Sequence, residues 1–152
     1  MENDTLFWHG DQVWPERIAL LQEHAHLRRL ILWGGNLIAD RLTGLAGLTQ
    51  LESLAIGECP VDDRLWPHIA PLTRLTFLNL SYTLVSRGFG QMAGLAVAEL
   101  RLEGCTRVDD SSLAELECWT ALERINVRET AVTQEGVERL RCSLPSCNVL
   151  AA

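Results

Sequence analysis

Two pairs of neighbouring carboxylates, Asp62-Asp63 and Asp109-Asp110, are the residues of this 152-residue chain best equipped for acid–base work or cation binding. Cys118, Cys142 and Cys147 could supply a nucleophile or soft metal ligands, and His24 lies close to His26. None of these grows into a constellation. The two histidines point different ways on a helix, and four residues separate Cys142 from Cys147, so neither pair has structural-zinc spacing. A cysteine nucleophile needs a base beside it, and no motif supplies one. The chain has no G-x-S-x-G, H-E-x-x-H or G-x-G-x-x-G, and its lack of lysine removes P-loop and Schiff-base chemistry. The expectation is a non-enzyme with no catalytic residue, no cofactor and no metal.

Composition narrows the remaining classes. With 47% apolar and 22% charged residues the chain can bury a core, which excludes wholesale disorder. Thirteen arginines against twenty acids leave a net charge of −7, shared by both halves. That balance speaks against a phosphate-tracking nucleic-acid binder and a polybasic membrane anchor. No apolar run approaches the roughly 18 residues that cross a bilayer, and the start, MENDTLFWHG, lacks a signal-peptide pattern. Five cysteines, an odd number, then read as free thiols in a reducing compartment. A cytoplasmic monomer is expected.

The elements that must hold any functional side chain follow from the spacing of 27 leucines. In blocks of 24, Leu27-Arg28-Arg29-Leu30-Ile31-Leu32 falls into register with Leu51-Glu52-Ser53-Leu54-Ala55-Ile56 and Leu75-Thr76-Phe77-Leu78-Asn79-Leu80. Residues 97–102 and 122–127 continue the series, and a weaker copy with Leu6 and Trp8 precedes it. The two-residue apolar period marks a short strand with one buried face. Leu42, Leu45 and Leu48, then Leu65, Ile69 and Leu72, switch to a three-to-four-residue period, which is helical. Leu113 with Leu116 and Val137 with Leu140 repeat it. A strand and helix within about 24 residues bury neither face alone, whereas stacked copies bury both, as in a solenoid.

These L-x-x-L-x-L blocks resemble leucine-rich repeats over about residues 3–150. Leu100-Arg101-Leu102-Glu103-Gly104-Cys105-Thr106-Arg107-Val108-Asp109-Asp110 resembles the cysteine-containing repeats of the ribonuclease-inhibitor-like subclass. Leu140-Arg141-Cys142-Ser143-Leu144-Pro145-Ser146-Cys147-Asn148-Val149 resembles the closing cap of compact bacterial members. The resemblance implies an α/β fold, a right-handed solenoid of about six repeats of 22–26 residues. Its parallel sheet lines the concave face and short helices the convex face. Residues 1–152 make one domain: 1–26 a degenerate capping repeat, 27–121 four repeats, and 122–152 the last repeat with its cap. The third full repeat is short, with Gly88-Phe89-Gly90 where a helix should start, and the first has weak apolar columns.

The same resemblance gives small side chains a place. Three residues after the strand's last apolar position, the family sets a side chain that bonds to backbone between neighbouring turns. Here that column reads Asp11, Gly35, Cys59, Thr83, Cys105 and Thr130, which assigns Cys59 and Cys105 to structure. Two places further an apolar column holds Val13, Leu37, Val61, Val85 and Val132, with Val108 after one inserted residue. The residues that follow it, Asp62, Ser86, Asp109 and Thr133, are helix N-cap types. After Trp14, Pro15 suits a first helical position. The carboxylate pairs thus share one cause, the first acid capping a helix and the second sitting in its positive first turn.

Function is left to the outward side chains of the strands. The N-terminal half of that face offers Phe7, Ile31, Trp33, Phe77 and Tyr82; the C-terminal half offers Arg101, Glu103, Arg124 and Arg128. With Arg29 and Asn79 these are the candidate partner-binding residues, since exposed apolar clusters mark binding and Trp, Tyr and Arg dominate interface energetics. Phe7 and Trp33 could instead be buried under the N-terminal segment as a cap. The reading is a non-catalytic module that binds one protein partner through its concave face. By analogy with ribonuclease inhibitors and from the net charge, its sharper form is an intracellular inhibitor or immunity-type protein of a basic enzyme or toxin. The alternative is a substrate-recognition adaptor or scaffold of a larger ubiquitin-ligase-like or signalling complex. The end strand near Cys147-Asn148-Val149 is an edge-pairing hazard.

Overall fold

The apolar-x-apolar blocks become strands because a two-residue period lets one face be buried. In the computed structural model, which describes residues 4–10 and 15–151, these are β1 (Thr5–His9), β2 (Arg29–Trp33), β3 (Ser53–Gly57), β4 (Phe77–Asn79), β5 (Glu99–Arg101), β6 (Arg124–Asn126) and β7 (Asn148–Leu150). They pair in chain order as one seven-stranded parallel sheet. Thr5, Arg29, Ser53, Phe77, Glu99, Arg124 and Asn148 stand in one row, so the columns read from the sequence hold across the sheet. Leu30, Leu32, Leu54, Leu78, Leu80, Leu100 and Leu102 point inward and are 0% exposed. A slip of one residue would turn that set to solvent, which pins the register. The closing segment supplies β7, where Val149 continues the Ile125 column. Asn148 and Leu150 bond to β6, and Arg141 Nη2 donates to the intervening Val149 carbonyl at 3.2 Å, which blunts this edge.

The chain returns between strands through short helical segments on the convex side. The even three-residue spacing of Leu42, Leu45 and Leu48 suits a 3-10 helix, and 3-10 segments form at Ala39–Arg41 and Thr43–Gly47. The α-helices are α1 (Pro15–Ala19), α2 (Trp66–Ile69), α3 (Asp110–Leu116) and α4 (Gln134–Ser143). Helix is therefore fullest in the last repeats and shrinks to single turns earlier. In the short repeat a 3-10 segment, Phe89–Met92, fills the place of a regular helix. Aromatic bulk occupies the space: the Phe89 ring lies 4.9 Å from Trp66 and 6.5 Å from Trp119. Both indole N–H groups are satisfied, Trp66 by the Arg87 carbonyl at 2.5 Å and Trp119 by the Phe89 carbonyl at 2.9 Å. Truncating one such buried ring to alanine typically costs about 3–5 kcal/mol.

Three of the four expected caps form. Asp62 accepts from the Arg64 amide at 3.2 Å, Asp109 from Ser111 and Ser112 at 2.9 and 3.1 Å, and Thr133 from Gly136 at 3.2 Å. Ser86 does not cap: the following 3-10 segment starts from Gly88, in the left-handed region at φ +90°, so no helical amide lies over Ser86. The second acid of each pair does more than sit in a helix dipole. Asp63 accepts from the Ser86 amide and hydroxyl at 2.6 and 2.8 Å, and Asp110 from the same groups of Thr133 at 2.8 and 2.6 Å. Each thereby staples its repeat to the next. Among the described residues no group of three His, Cys, Asp or Glu gathers as a metal site.

The turn column also needs correction. Cys105 Sγ donates to the Leu80 carbonyl of the preceding repeat at 3.0 Å, a bond between turns. Thr83 and Thr130 bond to carbonyls of their own turns, Leu80 and Val127, each at 2.7 Å, and Thr83 Oγ1 also lies 3.6 Å from Cys105 Sγ of the next repeat. Burial raises the Cys59 thiol to about 11 and also pushes Cys105 up. Asp11, Val13 and Trp14 lie outside the described residues, as does the side chain of Pro15. No helix among the described residues is long and apolar enough to cross a membrane.

Candidate functional site

The parallel register builds the concave face row by row. The middle row runs Phe7, Ile31, Ala55, Asn79, Arg101, Asn126 and Leu150. On one side of it lie Arg29, Phe77, Glu99 and Arg124; on the other Trp33 is paired with Gly57, and Ser81, Glu103 and Arg128 follow two residues beyond their strands' middle-row positions. All the predicted partner-binding strand residues therefore share one face. Phe7 is 55% exposed, so it is not covered as a cap; Trp33 is half-buried.

A second regularity governs the rim. The residue two places after each strand's last inward side chain is Gly10, Gly34, Glu58, Tyr82, Gly104 or Glu129, and all six have φ between 51° and 81°. The amides of these left-handed residues reach sideways to the next repeat: Gly34, Glu58, Tyr82 and Gly104 N–H donate to Gly57, Ser81, Glu103 and Arg128 carbonyls at 2.8, 3.2, 2.7 and 3.0 Å. Non-glycine residues here cost about 1–2 kcal/mol each, yet they put Glu58, Tyr82 and Glu129 on the rim. Small residues then make room for large neighbours. The Trp33 ring lies across Gly57 and the Tyr82 ring across Gly104; an added Cβ would stand 2.8 Å from Trp33 Cε3 and 2.9 Å from Tyr82 Cγ. Loss of solvent at the ring, with Glu129 and Glu103 nearby, raises the Tyr82 hydroxyl's pKa.

The charged half is an organised network. Glu99 accepts from Arg101 Nε at 2.8 Å and from Arg124 Nε at 2.9 Å, and Asn126 Nδ2 donates to Glu103 at 3.0 Å. Desolvation pushes the Glu99 carboxyl up, but hydrogen bonds from Arg124 and Arg101 outweigh it and hold it below the ordinary range. The Arg101 guanidinium also covers the Phe77 ring at 5.2 Å, a cation–π contact that joins the charged half to the apolar one. Arg29 and Arg128 have no side-chain partner among the described residues. A concavity of about 280 Å³ opens between β5, β6 and β7, lined by Glu99, Arg101, Arg124, Asn126 and Leu150. Glu99, an outward strand position and the hub of this network, is not among the predicted binding residues, nor is Leu150, which is 42% exposed on the floor. Leu150 stands 24 residues after Asn126, so the repeat period alone could have found it.

No family model matches the chain, and no curated protein matches it. Solved structures do. Internalin C2 from Listeria monocytogenes is similar at 18% identity and TM-score 0.66, over 88% of this chain and 55% of that one. A leucine-rich-repeat protein of Leptospira interrogans is similar at 19% and 0.57, over 86% of this chain and 33% of that one. The plant peptide hormone receptor RGFR1, in complex with RGF2, is similar at 17% and 0.59, over 97% of this chain and 23% of that one. The chain thus spans about half or less of the length of these structures. At such identities the likeness is one of fold, and the fold is a leucine-rich-repeat solenoid with a parallel sheet and short helices.

Proposed function

We propose that this chain is a non-catalytic module that holds one protein partner on its concave face. The observation that carries the reading is the gathering of Phe7, Ile31, Trp33, Phe77, Arg101, Arg124 and Arg128 on one face of a rigid sheet. Trp and Arg held in place by neighbours lose little freedom on binding, which favours them as interface anchors. The similar receptor RGFR1 was solved in complex with RGF2, which supports a binding role for a solenoid of this kind. The carboxylate pairs, the strongest candidates for other chemistry, are absorbed in caps and staples.

An inhibitor- or immunity-type role acting in the cytoplasm is the sharper form of this reading. Its expected target changes, however. The concavity between β5, β6 and β7 carries Arg101 and Arg124 against the single carboxylate of Glu99, so it is locally positive although the chain as a whole is −7 and Glu58, Glu103 and Glu129 keep the rim acidic. A partner that reaches the concavity with an acidic group fits it better than a uniformly basic enzyme or toxin does. Kinship with the cysteine-containing subclass is likewise a proposal, supported by the Cys105–Leu80 bond between turns. Affinity capture from the native host tests the binding reading. The partner retained by the wild-type chain is expected to be lost with Trp33→Ala and Arg128→Glu together, and kept with Arg139→Gln on the convex side. Retention by the concave double variant, with its fold intact by circular dichroism, would sink it.

A further inference from the structure

The geometry points to a partner segment that places an acidic group on the arginine floor of β5 and β6 beside an apolar side chain seated on β2 to β4. This deepens the binding reading above and rests on it. Charge complementarity selects the acid. Within the concavity Arg101 and Arg124 face a single carboxylate, Glu99, which both arginines already hold, so the site takes up an acid more readily than a base. Arg128, just beyond β6, has no side-chain partner among the described residues and adds a second cationic contact beside the concavity.

Shape selects where the acid goes. The concavity of about 280 Å³ has Arg101 and Arg124 on its wall and the exposed Leu150 at its end, so a carboxylate and its carbon stem both find matching surface. Arg101 is fixed in advance by Glu99 at 2.7 Å and by the Phe77 ring, so little ordering is left for the moment of binding. Spacing follows from the sheet. From Ile31 and Trp33 on β2 to β5 or β6 is three or four strand gaps, about 14–19 Å at about 4.8 Å each. An extended segment covers that in about four to six residues at about 3.3 Å per residue. The matching motif is an aromatic or large aliphatic residue with an aspartate or glutamate about four to six positions away.

The test is a peptide-display selection on the whole chain, using random segments of about 12 residues. Selected peptides should be enriched in that motif and weaken as salt is raised. Their affinity should fall about tenfold or more with Arg128→Gln and with Arg124→Gln, and stay unchanged with Arg139→Gln. Enrichment of basic residues, or of no charge, overturns the inference. If such peptides still lose affinity with Trp33→Ala, the concave-face reading stands without it. Peptides indifferent to every concave substitution, or a selection that yields no binder, overturn both. Binding of a short single-stranded oligonucleotide to the arginine floor, with acidic peptides silent, would likewise overturn it in favour of a nucleic acid.

Discussion

Replacing Asp109 by alanine asks whether the paired carboxylates are structural. Its side chain accepts from Ser111 and Ser112 amides at 2.9 and 3.1 Å while Ser112 Oγ accepts from the Asp109 amide at 3.0 Å, a reciprocal cap. Losing an N-cap of this type costs about 0.5–2 kcal/mol. The Arg87–Asp109 ion pair at 3.0 Å has 44% and 40% exposed side chains, so solvent screens it heavily. Such pairs contribute about 0.2–1 kcal/mol. Asp109→Ala is therefore expected to destabilise by about 1–2.5 kcal/mol, and Asp109→Asn, which keeps a capping oxygen without the charge, by about 0.2–1 kcal/mol. Arg87 holds the folded Asp109 carboxyl at about 2, below its ordinary 3.8. A depressed folded value means that the charge-dependent part is complete above about pH 4 and drains away as pH falls toward about 2. The gap between wild type and Asp109→Asn should close over that window. Urea denaturation at neutral pH, near pH 4 and near pH 2.5 reads it directly. Equal losses for alanine and asparagine, or a gap that persists undiminished in acid, would refute the capping account.

Three further outcomes follow from other columns. Glu58→Gly removes a side chain from a left-handed turn at φ 51°, and should stabilise the chain by about 0.5–1 kcal/mol in urea denaturation, since glycine takes that conformation without strain; a loss would count against strain at the rim. Cys105→Ala deletes a buried sulfur, but the Leu80 carbonyl keeps its Thr83 donor. The cost should thus stay near about 1–2 kcal/mol, with no unfolding at room temperature by circular dichroism. Thiol titration of the native chain with an aromatic disulfide should show Cys118 and Cys142 reacting quickly, and buried Cys59, Cys105 and Cys147 slowly; fast reaction of Cys59, whose thiol lies at about 11, would contradict its burial.

The sequence by itself determined the sheet. Because a strand with one buried face repeats every two residues and its copies must stack in register, Leu30, Leu54, Leu78 and Leu100 had to align, and the outward residues between them had to share a face. The caps at Asp62, Asp109 and Thr133 were legible for a similar reason: an N-cap is a local bond, closed within three residues. Distances between repeats are not local, and there the spacing was silent. Only the tertiary structure decided that Ser86 would answer to Asp63 instead of capping, that Cys105 would reach the Leu80 carbonyl of the preceding turn, and that Glu99 would gather Arg101 and Arg124. It also decided the local sign of the concavity between β5, β6 and β7, because net charge is a sum over the chain whereas a group entering that concavity meets Arg101 and Arg124 first.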